Sequence, residues 1–125
     1  MTVSVGMVTV DCVDPERLAG WWAAVVGGSV AVLGPGEFAM VTCDGSPALG
    51  FQRVDEPTPG KNRLHLDLHA ADLDADVERL IGLGATETGR HALDNGYRWV
   101  VLADPDGNVF CVAAPPEATS LDSAG

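Results

Sequence analysis

The chain states one structural plan twice. Met7-Val-Thr-Val-Asp-Cys-Val-Asp14 alternates apolar with small or polar residues, then meets an aspartate that opens a helix carrying Arg17, Leu18 and Trp22. His65-Leu-Asp-Leu-His-Ala-Ala-Asp72 repeats the design, with an aspartate at the same offset and a helix carrying Val77, Leu80 and Ile81. Each half runs on to an Asp-containing turn, Asp44-Gly-Ser-Pro47 in the first and Asp104-Pro-Asp-Gly107 in the second, and closes on a further strand. Self-similarity on this scale points to a pseudo-symmetric α+β fold built from two βαβββ modules.

Local chemistry supplies the boundaries. Val3–Val10 has the period of a strand, and Asp14-Pro-Glu-Arg is a helix start with Asp as cap, Pro at the first position and an acid in the first turn. Leu18, Trp22 and Val25 or Val26 recur at helical spacing up to a Gly27-Gly28 stop. Trp21 and Trp22 are adjacent on this helix and cannot share a face, so one of them belongs to the core. Strands follow at Ser29–Leu33, Glu37–Cys43 and Ala48–Val54. Asp55-Glu-Pro-Thr-Pro-Gly60 reads as the linker. The second half gives a strand at Arg63–His69, a helix at Asp72–Leu83 capped by Asp72 or Asp74 and stopped at Gly84, and strands at Thr86–His91, Arg98–Ala103 and Asn108–Ala113. The Asp104 segment reads as a hairpin turn rather than a cation loop, since Asp, Pro and Gly are what such turns demand. We therefore expect one domain over residues 1–115, made of modules 1–57 and 61–115, and a disordered tail at 116–125. One module cannot bury both faces of its sheet. Two together are expected to curve around a concave cleft with the helices outside.

A formal net charge of -11 argues against nucleic acid and anionic membrane as partners. The three cysteines, Cys12, Cys43 and Cys111, form no C-x-x-C pair, so no zinc knuckle or thioredoxin-like motif is available. The opening residues lack a signal-peptide pattern, and no apolar run reaches the ~20 residues that span a bilayer. A cytoplasmic location is expected.

The doubled plan, Asp14-Pro-Glu-Arg-Leu-Ala-Gly-Trp-Trp before Gly27-Gly28, and Leu102-Ala-Asp-Pro-Asp-Gly-Asn-Val-Phe110 together resemble the vicinal oxygen chelate superfamily, which includes glyoxalase I, extradiol dioxygenases, and fosfomycin- and bleomycin-resistance proteins. Lys61-Asn-Arg-Leu-His-Leu-Asp-Leu and Val77-Glu-Arg-Leu-Ile-Gly-Leu-Gly-Ala85 resemble its glyoxalase-like branch. The resemblance implies the two-module fold and a site on the inner strands, where metal-using members place up to four ligands on the first and last strand of each module. Matching the Asp14/Asp72 and Asp44/Asp104 offsets puts those positions on Met7, Phe51 (or Gln52 if the alignment slips by one), His65 and Cys111. A hard cation has no use for a thioether or a phenyl ring. His65 is the only good candidate ligand, so no metal or other cofactor is expected.

Arg63, His65, Asp67 and His69 fall on one face of their strand if alternation holds, and such a face needs water or partners. His65 and Cys111 are the candidate catalytic pair, with the imidazole as acid or base and Asp67 fixing its tautomer. Met7, Phe51, Gln52, Arg63, His65, Asp67, Trp99 and Cys111 are the candidate ligand-binding residues. Lys61 and Arg63 would draw an anionic or carbonyl-bearing aromatic compound to an otherwise acidic chain. Two functions follow: metal-independent binding or sequestration of a small organic ligand, or a glyoxalase-type lyase or isomerase using His65, with or without a divalent metal. The modules could pair within a chain or exchange across a homodimer.

Overall fold

The computed structural model describes residues 5–60 and 65–114. The chain divides into two compact units at Thr58/Pro59, inside the Pro-rich segment that the sequence marks as a linker.

The first unit comprises β1 (Met7–Cys12), α1 (Pro15–Val26), β2 (Ser29–Gly34), β3 (Phe38–Thr42) and β4 (Ala48–Arg53). The second comprises β5 (Leu66–His69), α2 (Leu73–Gly82), β6 (Thr86–Ala92), β7 (Arg98–Ala103) and β8 (Val109–Ala114). The strand orders are β1-β4-β3-β2 and β5-β8-β7-β6. In each unit the first strand runs parallel to the last, and the remaining neighbours pair antiparallel. The parallel pair needs a long crossover, which the helix and the intervening hairpin provide. The α+β class and the two βαβββ modules match the sequence expectation.

Both helices start as their sequences dictate. The Asp14 carboxylate accepts from Arg17 N at 3.3 Å with Pro15 at the first position, and Asp72, rather than Asp74, accepts from Ala75 N at 3.2 Å. Helix α1 ends on Gly27 in the left-handed region, φ 70°, where an L side chain would be strained. Its second glycine has a different cause. A Cβ on Gly28 would stand 2.5 Å from the Thr42 carbonyl oxygen, so only glycine lets the helix exit pass this close to β3.

One face of each sheet is packed and the other open. Under α1 lie Ala39, Val41 and Phe51, with Leu18, Ala19, Trp22 and Val25 buried on the helix. Trp22 is the core member of the tandem pair; Trp21 is half-buried and meets it edge-on at 5.2 Å. The second unit buries Val100, Leu102, Phe110 and Val112 on its sheet and Leu73, Val77 and Leu80 on α2. Each fully buried side chain of this size stabilises by about 1.5–3 kcal/mol. The turn before β8 is tied down by Asp104, which is 4% exposed and accepts from Asp106 N, Asn108 N and the Asn108 side-chain amide at 2.8–3.1 Å. None of the described helices is long and apolar enough to cross a membrane.

Candidate functional site

The open face of the second sheet gathers chemistry because alternation sends every second residue there. Asp67 pairs with Cys111, and Cys111 with Val101. Trp99, two residues before Val101, pairs with Ala113 on one side and His91 on the other. His65, two residues before Asp67, joins the same face. His65, Asp67, Trp99 and Cys111 line one pocket of ≈ 210 Å³, together with Leu93 and Tyr97.

Within the pocket, His65 Nε2 stands 3.4 Å from Asp67 Oδ1, and the donor atoms of His65, Asp67 and Cys111 all lie within 4.8 Å of one another. The imidazole and carboxylate are half-exposed or more, whereas Cys111 is half-buried. The opposite wall is aromatic. Trp99 stacks on His91 with centroids 5.0 Å apart and meets Tyr97 at 5.6 Å. Chemically, this places a proton-carrying pair and a thiol beside flat apolar rings.

Tyr97 and Leu93 were not among the residues expected from sequence. They flank the Asp94-Asn-Gly96 turn, where Leu93 N donates to Tyr97 O at 2.8 Å and Gly96 takes φ 90°. The available signal was alternation: Tyr97 is two residues before Trp99 and faces the same way.

The remaining candidates lie elsewhere. Arg63, with Lys61, is outside the described residues, as is the tail after Ala114. Met7 and Gln52 are exposed on the open face of the first sheet, where Gln52 pairs with Asp11 and Phe38. Phe51 departs from its expected role. It is 0% exposed and sits on the helix-covered face, paired with Val10 and Ala39.

Register also corrects the alignment behind that expectation. Thr9 pairs with Gly50 as Asp67 pairs with Cys111, so the counterpart of Cys111 is Gly50, not Phe51 or Gln52. A Cβ there would meet Met7 Sδ, Thr9 Oγ1 and Phe38 Cζ at 2.9–3.0 Å, so neighbouring side chains already occupy its space. The metal-binding quartet of the superfamily therefore falls on Met7, Gly50, His65 and Cys111. A thioether and a glycine at half of its positions do not fit that group. His65, Asp67 and Cys111 offer three donors by themselves, all within 4.8 Å of one another.

The cations of this unit are engaged outside the pocket. Among its described residues, Arg90 binds Glu87 at 2.8 Å and Asp74 at 3.4 Å, Arg98 reaches Asp74 at 3.9 Å, and Arg79 reaches Asp76 at 4.0 Å. Glu87, by hydrogen bond and charge, holds the Arg90 guanidinium above its ordinary range.

Comparisons with known proteins agree with this architecture. The family defined as glyoxalase-like domain matches residues 7–113. Among curated proteins no sequence match was found. A glyoxalase/bleomycin resistance protein/dioxygenase family enzyme from Burkholderia phytofirmans PsJN is similar at TM-score 0.79 and 19% identity, over 90% of this chain and 99% of that one. Lactoylglutathione lyase from Agrobacterium tumefaciens is similar at TM-score 0.68 and 18% identity, over 91% and 95%. TioX from Micromonospora sp. ML1 is similar at TM-score 0.64 and 19% identity, over 90% and 99%. At such identities the likeness is one of fold, and function varies on a shared scaffold. The match over nearly all of the described residues, with the doubled βαβββ plan, makes this chain a member of the glyoxalase-like domain family.

Proposed function

We propose that this protein binds a small, neutral, carbonyl-bearing aromatic compound on the open face of its second module, without a metal. The observation that carries the reading is the pocket in which His65, Asp67 and Cys111 meet the rings of Trp99 and Tyr97. Its ≈ 210 Å³ suits a single substituted ring, since a cavity of about 150 Å³ accepts benzene. The rings supply apolar surface, and the imidazole and carboxylate supply polar groups beside it. Asp67 and the net charge of -11 disfavour an anion, and the described arginines of this unit are already paired with acids.

The His65–Asp67 contact supports a second reading. A carboxylate-oriented imidazole is placed to move a proton beside a bound carbonyl, as a lyase or isomerase requires.

Titration with acetophenone, with cyclohexanecarboxylate as the non-aromatic control, tests the binding reading. Acetophenone should bind and cyclohexanecarboxylate should not. Trp99→Ala should weaken acetophenone by about two- to tenfold, the worth of one aromatic contact. Equal affinity in Trp99→Ala places the site elsewhere.

A further inference from the structure

We propose that Cys111, His65 and Asp67 act together as a thiol relay that captures planar conjugated carbonyl electrophiles by covalent addition. The inference takes its location from the binding pocket above, but its chemistry is separate and is tested separately.

Three observations converge. Cys111 lines the pocket and is half-buried, within reach of a bound molecule yet partly shielded from water. Its sulfur lies within 4.8 Å of a ligating atom of both His65 and Asp67, close enough for the imidazole to accept the thiol proton after a small rotation of either side chain. His65 Nε2 already faces the Asp67 carboxylate at 3.4 Å, so Asp67 is a positioning residue that orients the ring. A base in reach of a thiol can take its proton as the sulfur attacks, and the thiolate is the nucleophile.

The pocket wall selects the electrophile. Thiolates favour soft carbon centres, and the aromatic side chains of Trp99 and Tyr97 in the pocket lining favour a conjugated, apolar molecule. In the step, the Cys111 proton passes to His65 and the sulfur bonds to the β-carbon of an enone or quinone. The displaced π pair moves onto the enolate, and the proton returns from His65 to the α-carbon. One S–C bond forms, one C=C becomes single, and no oxidant or second reactant is needed.

Cys43 is the internal control. It has the same half-buried exposure, but its pocket holds no histidine. N-ethylmaleimide, a neutral planar conjugated probe, is added to the full chain at neutral pH, and alkylation is timed at each cysteine by peptide mass spectrometry. An ordinary thiol is only about 3% thiolate at pH 7. A base that takes the thiol proton raises that fraction, partly offset by lower intrinsic nucleophilicity. Cys111 should therefore react at least about threefold faster than Cys43. His65→Gln should remove the advantage, Asp67→Asn should reduce it, and neither should alter Cys43. Both altered side chains are half-exposed or more, so the fold should tolerate the changes.

Equal or slower reaction at Cys111 in the parent overturns the proposal, as does an unchanged Cys111 rate in His65→Gln. Stoichiometric zinc released as Cys111 is alkylated would also overturn it, in favour of a metal site on the same three residues. Acetophenone binding weakened in Trp99→Ala alongside an ordinary Cys111 rate would leave the binding reading standing and sink only this one.

Discussion

Replacing Phe51 with alanine separates the two roles that adjacent residues of β4 could play. Phe51 is 0% exposed on the helix-covered face, cross-strand from Val10 and Ala39, whereas Gln52 is exposed on the open face beside Asp11. Removing a fully buried phenyl ring costs its transfer free energy plus a cavity, about 3–5 kcal/mol. A chain of this size is stable by roughly 5–15 kcal/mol, so the loss is a large share of the total. With a urea slope near 2 kcal/mol/M, a 4 kcal/mol loss lowers the midpoint by about 2 M. Gln52→Ala should stay within about 0.5 kcal/mol of the parent. Urea titrations followed by far-UV circular dichroism measure both. If Phe51→Ala stays within about 1 kcal/mol, or Gln52→Ala proves the costlier change, the register assigned to β4 is wrong, and with it the equivalence of Gly50 and Cys111 in the two modules.

Other consequences follow from the same packing. Gly28→Ala sets a Cβ against the Thr42 carbonyl and Val41, neither of which can yield easily, and should lower stability by about 1–3 kcal/mol in the same urea assay. Gly20→Ala on exposed α1, with nothing within 4 Å of the added atom, should instead raise it by about 0.5–1 kcal/mol. Asp104→Ala strips the acceptor from Asp106 N and Asn108 N in a buried turn and should cost about 2–3 kcal/mol, while Asp104→Asn, which keeps one acceptor oxygen, should cost less. Thermal melts of the two Asp104 variants in parallel check the order.

The fold was legible because its strongest signals are local. Asp14 and Asp72 cap helices through their own side chains, Gly27 ends α1 through its backbone, and period-two alternation marks the strands. The pairing of the modules was less legible at the turns, because matching depends on register and register is a tertiary property. Met40 pairs with Gly50 as Val101 pairs with Cys111, which makes Cys43, not Asp44, the counterpart of Asp104. The two aspartates look alike in sequence but sit one residue apart in the repeat, and that step put Phe51 where Gly50 belongs. Strand alternation sets His65, Asp67, Trp99 and Cys111 on one face, and all four line one pocket. Leu93 and Tyr97 were not legible, since turn chemistry at Asn95-Gly96 says where a hairpin bends and not what its flanks line.

The central claim is that the open face of β5, β7 and β8 is where a small molecule is recognised. Backbone amide shifts of isotope-labelled protein, titrated with acetophenone, test this most directly. We expect the largest changes at His65–His69, Tyr97–Trp99, Cys111 and the Trp99 indole N–H, with about two- to tenfold more acetophenone needed to reach the same amide shifts in Trp99→Ala. Shifts centred on any other surface, or an unchanged acetophenone midpoint in Trp99→Ala, would contradict this.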